Sequence, residues 1–593
     1  YHGLAFLPGG KTRLRVEVDP AEAGSCLRYL WLRLRDRNGV TFVVAAPRDP
    51  SATILRHLGV SGGAGNRVID VITSPTAVRA LIDSAFSDRF TENAIWTLER
   101  ATPGFSAHKR LAPWQGLTLV ALGVGFASGL WLAPAIALNV TSTLLAGIFL
   151  LVSIFRLGCF FAAFAGRRPL PRPPKVAGRE DRNLPVYTVL VPLYREADIV
   201  DQTVAALLAL DYPRTRLDIK LVLEEDDTET LDAVGKLDLP GCVEVVIVPT
   251  SWPRTKPKAM NYALARARGS LVAVFDAEDI PQPSQLRIAA RAFSQSPEKL
   301  ACLQCRLGFY NAGQNWLTRQ FAIEYAALFD VILPALDRLG LPMMLGGTSN
   351  HFRTFALVRA GGWDAFNVTE DADLGFRLAR LGYKCGWLNC LTLEEAAAGP
   401  RNWFAQRQRW LQGWIQTYFV HMKNPLHLFR QLGAAGFVSF QAIVGGIVLS
   451  AMAYPIFLGQ FVWFTATGTL FLPLGNTAFD SLLLLNAINL LFGFGIALEL
   501  AIIGLYRSGQ ARLLWQIPLL PIYWLGTSLA SYFALWRFIR RPFEWKKTAH
   551  TPIGQIRKPM VNPQMANCHH NTPMGAKRRK ERAGLLRTGH SGR

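Results

Sequence analysis

Acidic residues are scarce here: 42 Asp and Glu stand against 64 Lys and Arg in 593 residues, a formal net charge of +22. Such an excess raises nucleic acid as a partner. No basic groove interleaved with aromatics accompanies it, however, and Arg and Lys gather beside long apolar runs, as cytoplasmic flanks of membrane segments do. Nucleic acid is therefore not expected. Cysteine is also sparse. The eight are scattered, and Cys302-x-x-Cys305 has no second pair at zinc spacing, so reduced, mostly buried thiols facing a cytosol are expected. No glycine-rich phosphate loop of Rossmann or P-loop spacing occurs, so a bound nucleotide is expected to be held through a metal ion rather than at a helix N-terminus. No signal peptide is expected from the first residues, and Tyr1 in place of Met leaves the natural start open.

What the chain does have is apolar sequence, half its residues, unevenly spread. The length suits about three or four domains. Residues 1–108 read as a small α/β domain: a strand over Thr41–Ala46, a short helix over Ala52–Leu58, a strand over Arg67–Thr73 and a helix from Pro75 to Phe90. Trp114–Leu138 and Val140–Phe164 are each long enough to span a bilayer, with a turn expected at Asn139. Arg167, Arg168, Arg172 and Lys175 place the return end in the cytoplasm, and Pro169–Pro174 is a linker.

From 185 to about 400, strands at Tyr187–Pro192, Leu217–Glu224, Val243–Pro249 and Leu271–Phe275 alternate with helices such as Asp198–Leu210. That alternation implies a mainly parallel sheet covered by helices, binding ligands beyond the carboxyl ends of its strands. The fold class expected is thus an α/β membrane protein, its sheet domain inserted between transmembrane helices and preceded by the small domain. Leu432–Phe464 and Leu482–Leu505 are further spanning candidates. Leu513–Trp536 has basic residues at both ends and contains Pro518 and Pro521, so an interfacial or re-entrant segment is expected. The tail from about 555 is polar and basic, and is expected to be disordered and drawn to anionic membrane lipid.

Two acidic clusters fall at strand ends, Glu225-Asp226-Asp227 and Asp276-Ala277-Glu278-Asp279. Asp276 and Glu278 suit one hard divalent ion such as Mg²⁺, which takes one or two carboxylates and leaves other positions to water and phosphates; an ordinary acidic loop is the bland alternative. Asp226 and Asp227 either contact a base or ribose or simply solvate a loop. Lys256 and Lys258 either neutralise a diphosphate or form a solvated face. Thr369-Glu370-Asp371 heads a helical pattern that stops at Gly382, and helix capping by Thr369 is its plain reading. About one helix and one strand later come Gln406, Arg409 and Trp410, an amide, a guanidinium and an indole able to grip a sugar and a phosphate.

Asp226-Asp227, Lys258 with Asn261, Asp276-Ala-Glu278, Thr369-Glu-Asp371 and Gln406-x-x-Arg409-Trp410 occur in the order and approximate spacing of processive family 2 glycosyltransferases. Over roughly 115–550 the chain resembles the cellulose, curdlan and hyaluronan synthase group. The resemblance implies a GT-A fold and transfer of a sugar from a UDP-sugar, with UDP-glucose expected, onto a growing β-linked polysaccharide. It implies Asp226 and Asp227 at the nucleoside, Lys258 and Asn261 near the diphosphate, and Asp276 and Glu278 on Mg²⁺ or Mn²⁺. Glu278 stands where the family has Asp, which leaves Asp279 open as the second ligand. It further implies Asp371, beside Glu370, as the base, and Thr369, Gln406, Arg409 and Trp410 at the acceptor and pyrophosphate. Residues 542–554 resemble a gating loop. The alternatives are a non-processive transferase acting on a lipid-linked acceptor and a non-catalytic docking protein with a decayed transferase domain. The later half of residues 1–108 resembles the N-terminal domain of type II secretion ATPases, which implies cyclic di-GMP or a docking partner. The implied setting is a bacterial inner membrane, multi-pass, with the catalytic domain cytoplasmic.

Overall fold

The computed structural model describes residues 5–6, 15–16, 18–19, 22–35, 41–45, 71–72, 74–164, 183–468 and 477–544. The expected helix at Ala52–Leu58, most of the strand at Arg67–Thr73, the linker, the gating segment beyond 544 and the tail lie outside them.

Near the N-terminus, β1 (Ala5–Phe6), β2 (Arg15–Val16), β3 (Trp31–Arg35), β4 (Thr41–Ala45) and β5 (Val71–Ile72) form a sheet in the order β1-β5-β4-β3-β2. A 27-residue helix, Pro75–Ala101, follows. Ser74 opens it: the Ser74 hydroxyl accepts from the Ala77 N–H, and Pro75 sits where a missing N–H is harmless. The helix runs beyond Phe90 because Ala94, Ile95 and Leu98 continue its buried stripe.

The large sheet comprises β6 (Tyr187–Leu193), β7 (Leu217–Glu224), β8 (Val243–Val248), β9 (Leu271–Val274), β10 (Ile280–Pro281), β11 (Leu300–Phe309), β12 (Asn350–Arg353) and β13 (Lys384–Glu394). Its order is β10-β13-β11-β12-β9-β6-β7-β8. β9, β6, β7 and β8 are parallel, as are β11 and β13, while β12 runs antiparallel between β9 and β11. The carboxyl ends of β6, β7 and β9 therefore meet the Gly346–Ser349 approach to β12 along one rim. Continuous apolar burial along β6, β7 and β9 explains why these strands read clearly from sequence.

Five helical segments among the described residues are long and apolar enough to cross a membrane: Pro113–Leu132, Pro134–Phe164, Pro425–Ala466, Leu484–Arg507 and Ala511–Arg540. The first two part at Ala133, not at Asn139, which lies inside the second helix. The residue before a proline disfavours helical backbone, and Pro134 itself suits a helix start. The Leu513–Trp536 run divides into a 3₁₀ segment, Ala511–Leu519, and a helix, Leu520–Arg540. Pro518 and Pro521 bracket that junction rather than interrupting the helix.

Candidate active site

Five pieces of chain converge on one cleft of about 330 Å³ at the sheet rim. They are the turn after β9, the start of the helix Lys256–Leu264, the Gly346–Thr348 loop, the start of the helix Glu370–Arg380 and the helix Pro400–His421. On the last, Gln406, Arg409 and Trp410 fall three and four residues apart and so share a face. All three line the cleft, with Asp276, Glu278, Thr369, Glu370 and Asp371.

Asp371 is 4% exposed, and one of its carboxyl oxygens accepts from Trp363 Nε1 at 3.1 Å. Burial holds its carboxyl well above the usual carboxylate range, and neighbouring Glu370 pushes the same way. Burial also raises Glu370, against the pull of Lys256. Lys256 Nζ lies 2.6 Å from Asp276 Oδ1 and donates to the Gly347 carbonyl at 2.8 Å. Burial alone would lower its ammonium; Asp276, Asp371 and Glu370 outweigh that and raise it.

The turn after β9 separates the candidate metal ligands. Asp276 and Glu278 face the cleft, whereas Asp279 points back, accepting from the Asp276 N–H and pairing with the Thr348 hydroxyl. Glu394, which follows Leu393 where it pairs with Ile280, lines the cleft beside this turn with a buried Oε1 that has no hydrogen-bond partner. Burial, then Asp279, Glu278 and Asp276, raise its carboxyl strongly. This crowd of hard oxygen donors fits a divalent cation bound through Asp276 and Glu278. Among the described residues no three His, Cys, Asp or Glu side chains are grouped to hold a metal by themselves, so substrate phosphates and water would complete the shell.

On the helix Pro400–His421, Gln406 presents a buried Oε1 with no hydrogen-bond partner. Trp410 stacks on Tyr325 with ring centroids 6.3 Å apart and an interplanar angle of 24°. Arg407, its guanidinium over the Trp410 ring, anchors the helix through Glu324 and the Tyr523 hydroxyl. Gly413 permits the close approach to Thr369, since a Cβ there would overlap the Thr369 hydroxyl. Gly413→Ala is expected to cost about 1–3 kcal/mol by overpacking and, by displacing Thr369, to lower turnover more than nucleotide affinity. A melting curve beside steady-state kinetics checks both.

Several expected site residues have other duties. Lys258 is fully buried and bonds Glu224 at 2.9 Å, because it lies two residues past Lys256 and points inward from the helix. Lys256 is the lysine that faces the cleft, and only its place as first helical residue could have distinguished it. Asn261 donates to the Ala94 and Trp363 carbonyls and accepts from the Trp363 N–H, pinning the Pro75–Ala101 helix to the turn before Thr369. Asp227 caps the helix Thr228–Gly235 through the Thr230 N–H. Asp226 sits at the rim, 2.7 Å from Arg254. Thr369 occupies the N-cap position without a side-chain cap bond. Lys256→Ala is expected to raise the KM for donor about tenfold or more, the scale of one charge-assisted bond, at unchanged melting temperature. Lys258→Ala, which strands a buried carboxylate, is expected to cost about 3–5 kcal/mol of stability instead.

Residues 185–413 match the family model described as "Glycosyltransferase like family 2", the same stretch that forms the GT-A-like, mainly parallel sheet. The probable glycosyltransferase YdaM of Bacillus subtilis is 26% identical over 252 residues, 42% of this chain and 59% of that protein. Probable glucomannan 4-beta-mannosyltransferase 1 of Arabidopsis thaliana is 27% identical over 258 residues, 42% of this chain and 44% of that one. The chain thus spans about half the length of these curated relatives. Among solved structures, mannosyltransferase PcManGT from Pyrobaculum calidifontis, in complex with GDP-Man and Mn²⁺, is 18% identical with a TM-score of 0.40, covering 67% of this chain and 99% of that one. S. aureus TarS 1–349 with UDP-GlcNAc is 14% identical with a TM-score of 0.28, covering 55% and 92%.

Proposed function

We propose that this chain is a membrane-embedded, inverting glycosyltransferase that transfers a hexose from a nucleoside diphosphate sugar onto the hydroxyl of a glycan acceptor, repeatedly, building a β-linked polysaccharide. The observation that carries this reading is the convergence of Asp276, Lys256, Asp371 and Trp410 on one cleft. Lys256 would hold the donor diphosphate, and a divalent cation on Asp276 and Glu278 would neutralise charge there. Asp371, its proton affinity raised by burial, takes the proton of the acceptor hydroxyl. The freed oxygen forms a bond to the sugar C1 as the C1–O bond to the diphosphate breaks on the opposite face. The leaving diphosphate takes the electron pair, and Lys256 neutralises its charge. Gln406 offers an acceptor for a sugar hydroxyl, and Trp410 a face for the terminal ring.

The matches include mannosyl- as well as unspecified glycosyltransferases, so the donor base and sugar are tested together. Membranes carrying the full chain, given labelled UDP-glucose, UDP-GlcNAc and GDP-mannose, are expected to build a polymer from one of them, with UDP-glucose the donor proposed. Release of only single-sugar products from all three would replace repeated transfer by single transfer.

We also place the Pro400–His421 and Leu520–Arg540 helices at the membrane surface rather than across it. They run side by side: Trp403 Nε1 donates to the Tyr523 hydroxyl near one end, and Phe419 stacks on Phe538 near the other. Both ends of the pair touch the sheet domain or its flanks, through Arg407 with Glu324 and through His421 with Asp373. On this reading four of the five candidate helices cross, and the cleft is proposed to face the cytoplasm at a bacterial inner membrane. At the far end, Trp252, Phe366 and Phe543 pack together. Trp96 and His108 join that cluster through Phe366, so a partner of the N-terminal domain, cyclic di-GMP or a docking protein, would act there.

A further inference from the structure

The two carboxyl oxygens of Asp371 have different surroundings. Oδ1 accepts from Trp363 Nε1 at 3.1 Å, whereas Oδ2 faces Gly347, where an added Cβ would stand 3.9 Å from it. Gly347 lines the cleft, and Trp363 is fully buried. The indole therefore occupies the inner oxygen and leaves Oδ2 for the proton of an acceptor hydroxyl.

The place of Trp363 is set by the turn that carries it. Gly361 and Gly362 both have positive φ, 81° and 68°, a conformation that suits glycine. A Cβ on Gly361 would overlap Leu98, and one on Gly362 would overlap Asn261 Oδ1. Asn261 holds both backbone groups of Trp363, accepting from the N–H at 2.9 Å and donating to the carbonyl at 2.7 Å. The same amide spends its other hydrogen on the Ala94 carbonyl, at 2.9 Å. Across the turn, Asp364 accepts from the Ser106 hydroxyl at 3.2 Å and from the Ala107 N–H. Ala94, Leu98, Ser106 and Ala107 thus close around the turn, and all four precede the family-matched stretch 185–413.

We propose that residues 94–107 are a built-in positioning element for the base: they seat the Gly361–Asp364 turn, whose Trp363 orients Asp371 so that Oδ2 meets the acceptor hydroxyl. The proposal rests on the reading of Asp371 as the base. It makes Trp363 and Leu98 positioning residues, acting through Asp371. Apolar packing alone would seal a buried turn. Here hydrogen bonds fix it from both sides, and the side chain between them is the one that donates to Asp371. Such fixing matters because an error of about 1 Å in a reacting group can cost about a hundredfold in rate.

The test is a double-mutant cycle on the full-length chain in nanodiscs. It uses whichever of labelled UDP-glucose, UDP-GlcNAc and GDP-mannose the wild type turns over. Trp363→Phe removes the N–H and keeps an aromatic ring. It is expected to lower kcat about tenfold or more, the scale of one charge-assisted bond, with the donor KM unchanged. Leu98→Ala loosens the seat of Gly361 from outside the cleft lining and should lower kcat in the same way, by less. Built on Asp371→Asn, neither substitution should lower the residual rate further, because no base is left to orient. Loss by the same factor in both backgrounds, or a raised donor KM at unchanged kcat, assigns the turn to folding or donor binding and overturns the proposal. Should Trp363→Phe fail to accumulate, the Leu98→Ala cycle decides. Asp371→Asn transferring at the wild-type rate would sink the base reading itself, whereas additive losses on a slow Asp371→Asn chain sink this inference alone.

Discussion

Asp371→Asn is expected to lower the rate of sugar transfer by about 10²–10⁴-fold, the usual worth of a general base, while leaving the protein as stable as before or more so. Both halves follow from the same burial. The folded state holds the Asp371 carboxyl well above its ordinary range, through desolvation and then the nearby Glu370. A raised acid binds its proton more tightly when folded, so stability declines as pH rises past the unfolded value, about 3.9 for Asp. Asparagine removes that cost, keeps the shape and can still meet Trp363 Nε1. It cannot take a proton. The wild-type rate should climb with pH over a range above that of an ordinary carboxylate, and the residual rate of the variant should lose that limb. Initial rates against pH, beside thermal melts of both proteins, decide.

Asp373→Asn, two residues on, is expected to do the reverse: cost about 3–5 kcal/mol of stability, as breaking a buried ion pair does, with catalysis lost only as the fold is lost. Asp373 is fully buried, 2.8 Å from Arg377 Nη2 and 3.1 Å from His421 Nε2. Burial pushes its carboxyl up, but Arg377 and then His421 outweigh that, and it ends below the ordinary range. Arg377 also donates to the Ala360 and Gly362 carbonyls, tying the Glu370–Arg380 helix to the turn that carries Trp363. With a depressed folded value, this contribution is complete above the unfolded value and fades as pH falls through the folded one. Acid should therefore narrow the gap between wild type and variant, which unfolding curves at several pH values would show.

The sheet domain was legible because β6, β7 and β9 are buried on both faces and read as unbroken apolar runs. The candidate site was legible because strand ends and one helix start deliver Asp276, Glu278 and Asp371 to the same rim. Roles set by distant partners were not. Asn261 finds Ala94, 167 residues away. Lys256 and Lys258 share charge and neighbourhood, and only the phase of the helix sends one to the cleft and the other to Glu224. Glu394 reads as the last residue of a strand until its uncompensated carboxyl is seen among Asp276, Glu278 and Asp279. The break between the first two membrane helices was misplaced by reading Asn139 as a turn, although Pro134 carried the stronger signal.

The most direct measurement is a structure of the full-length Asp371→Asn chain with Mn²⁺ and UDP-glucose or, in a second sample, GDP-mannose. The diphosphate is expected beside Lys256 and Asp276, with the sugar C1 turned towards position 371 and Trp410 bordering the open side. A nucleotide sugar lodged away from that rim, or a sugar facing away from residue 371 while the wild type still transfers it, would contradict the account.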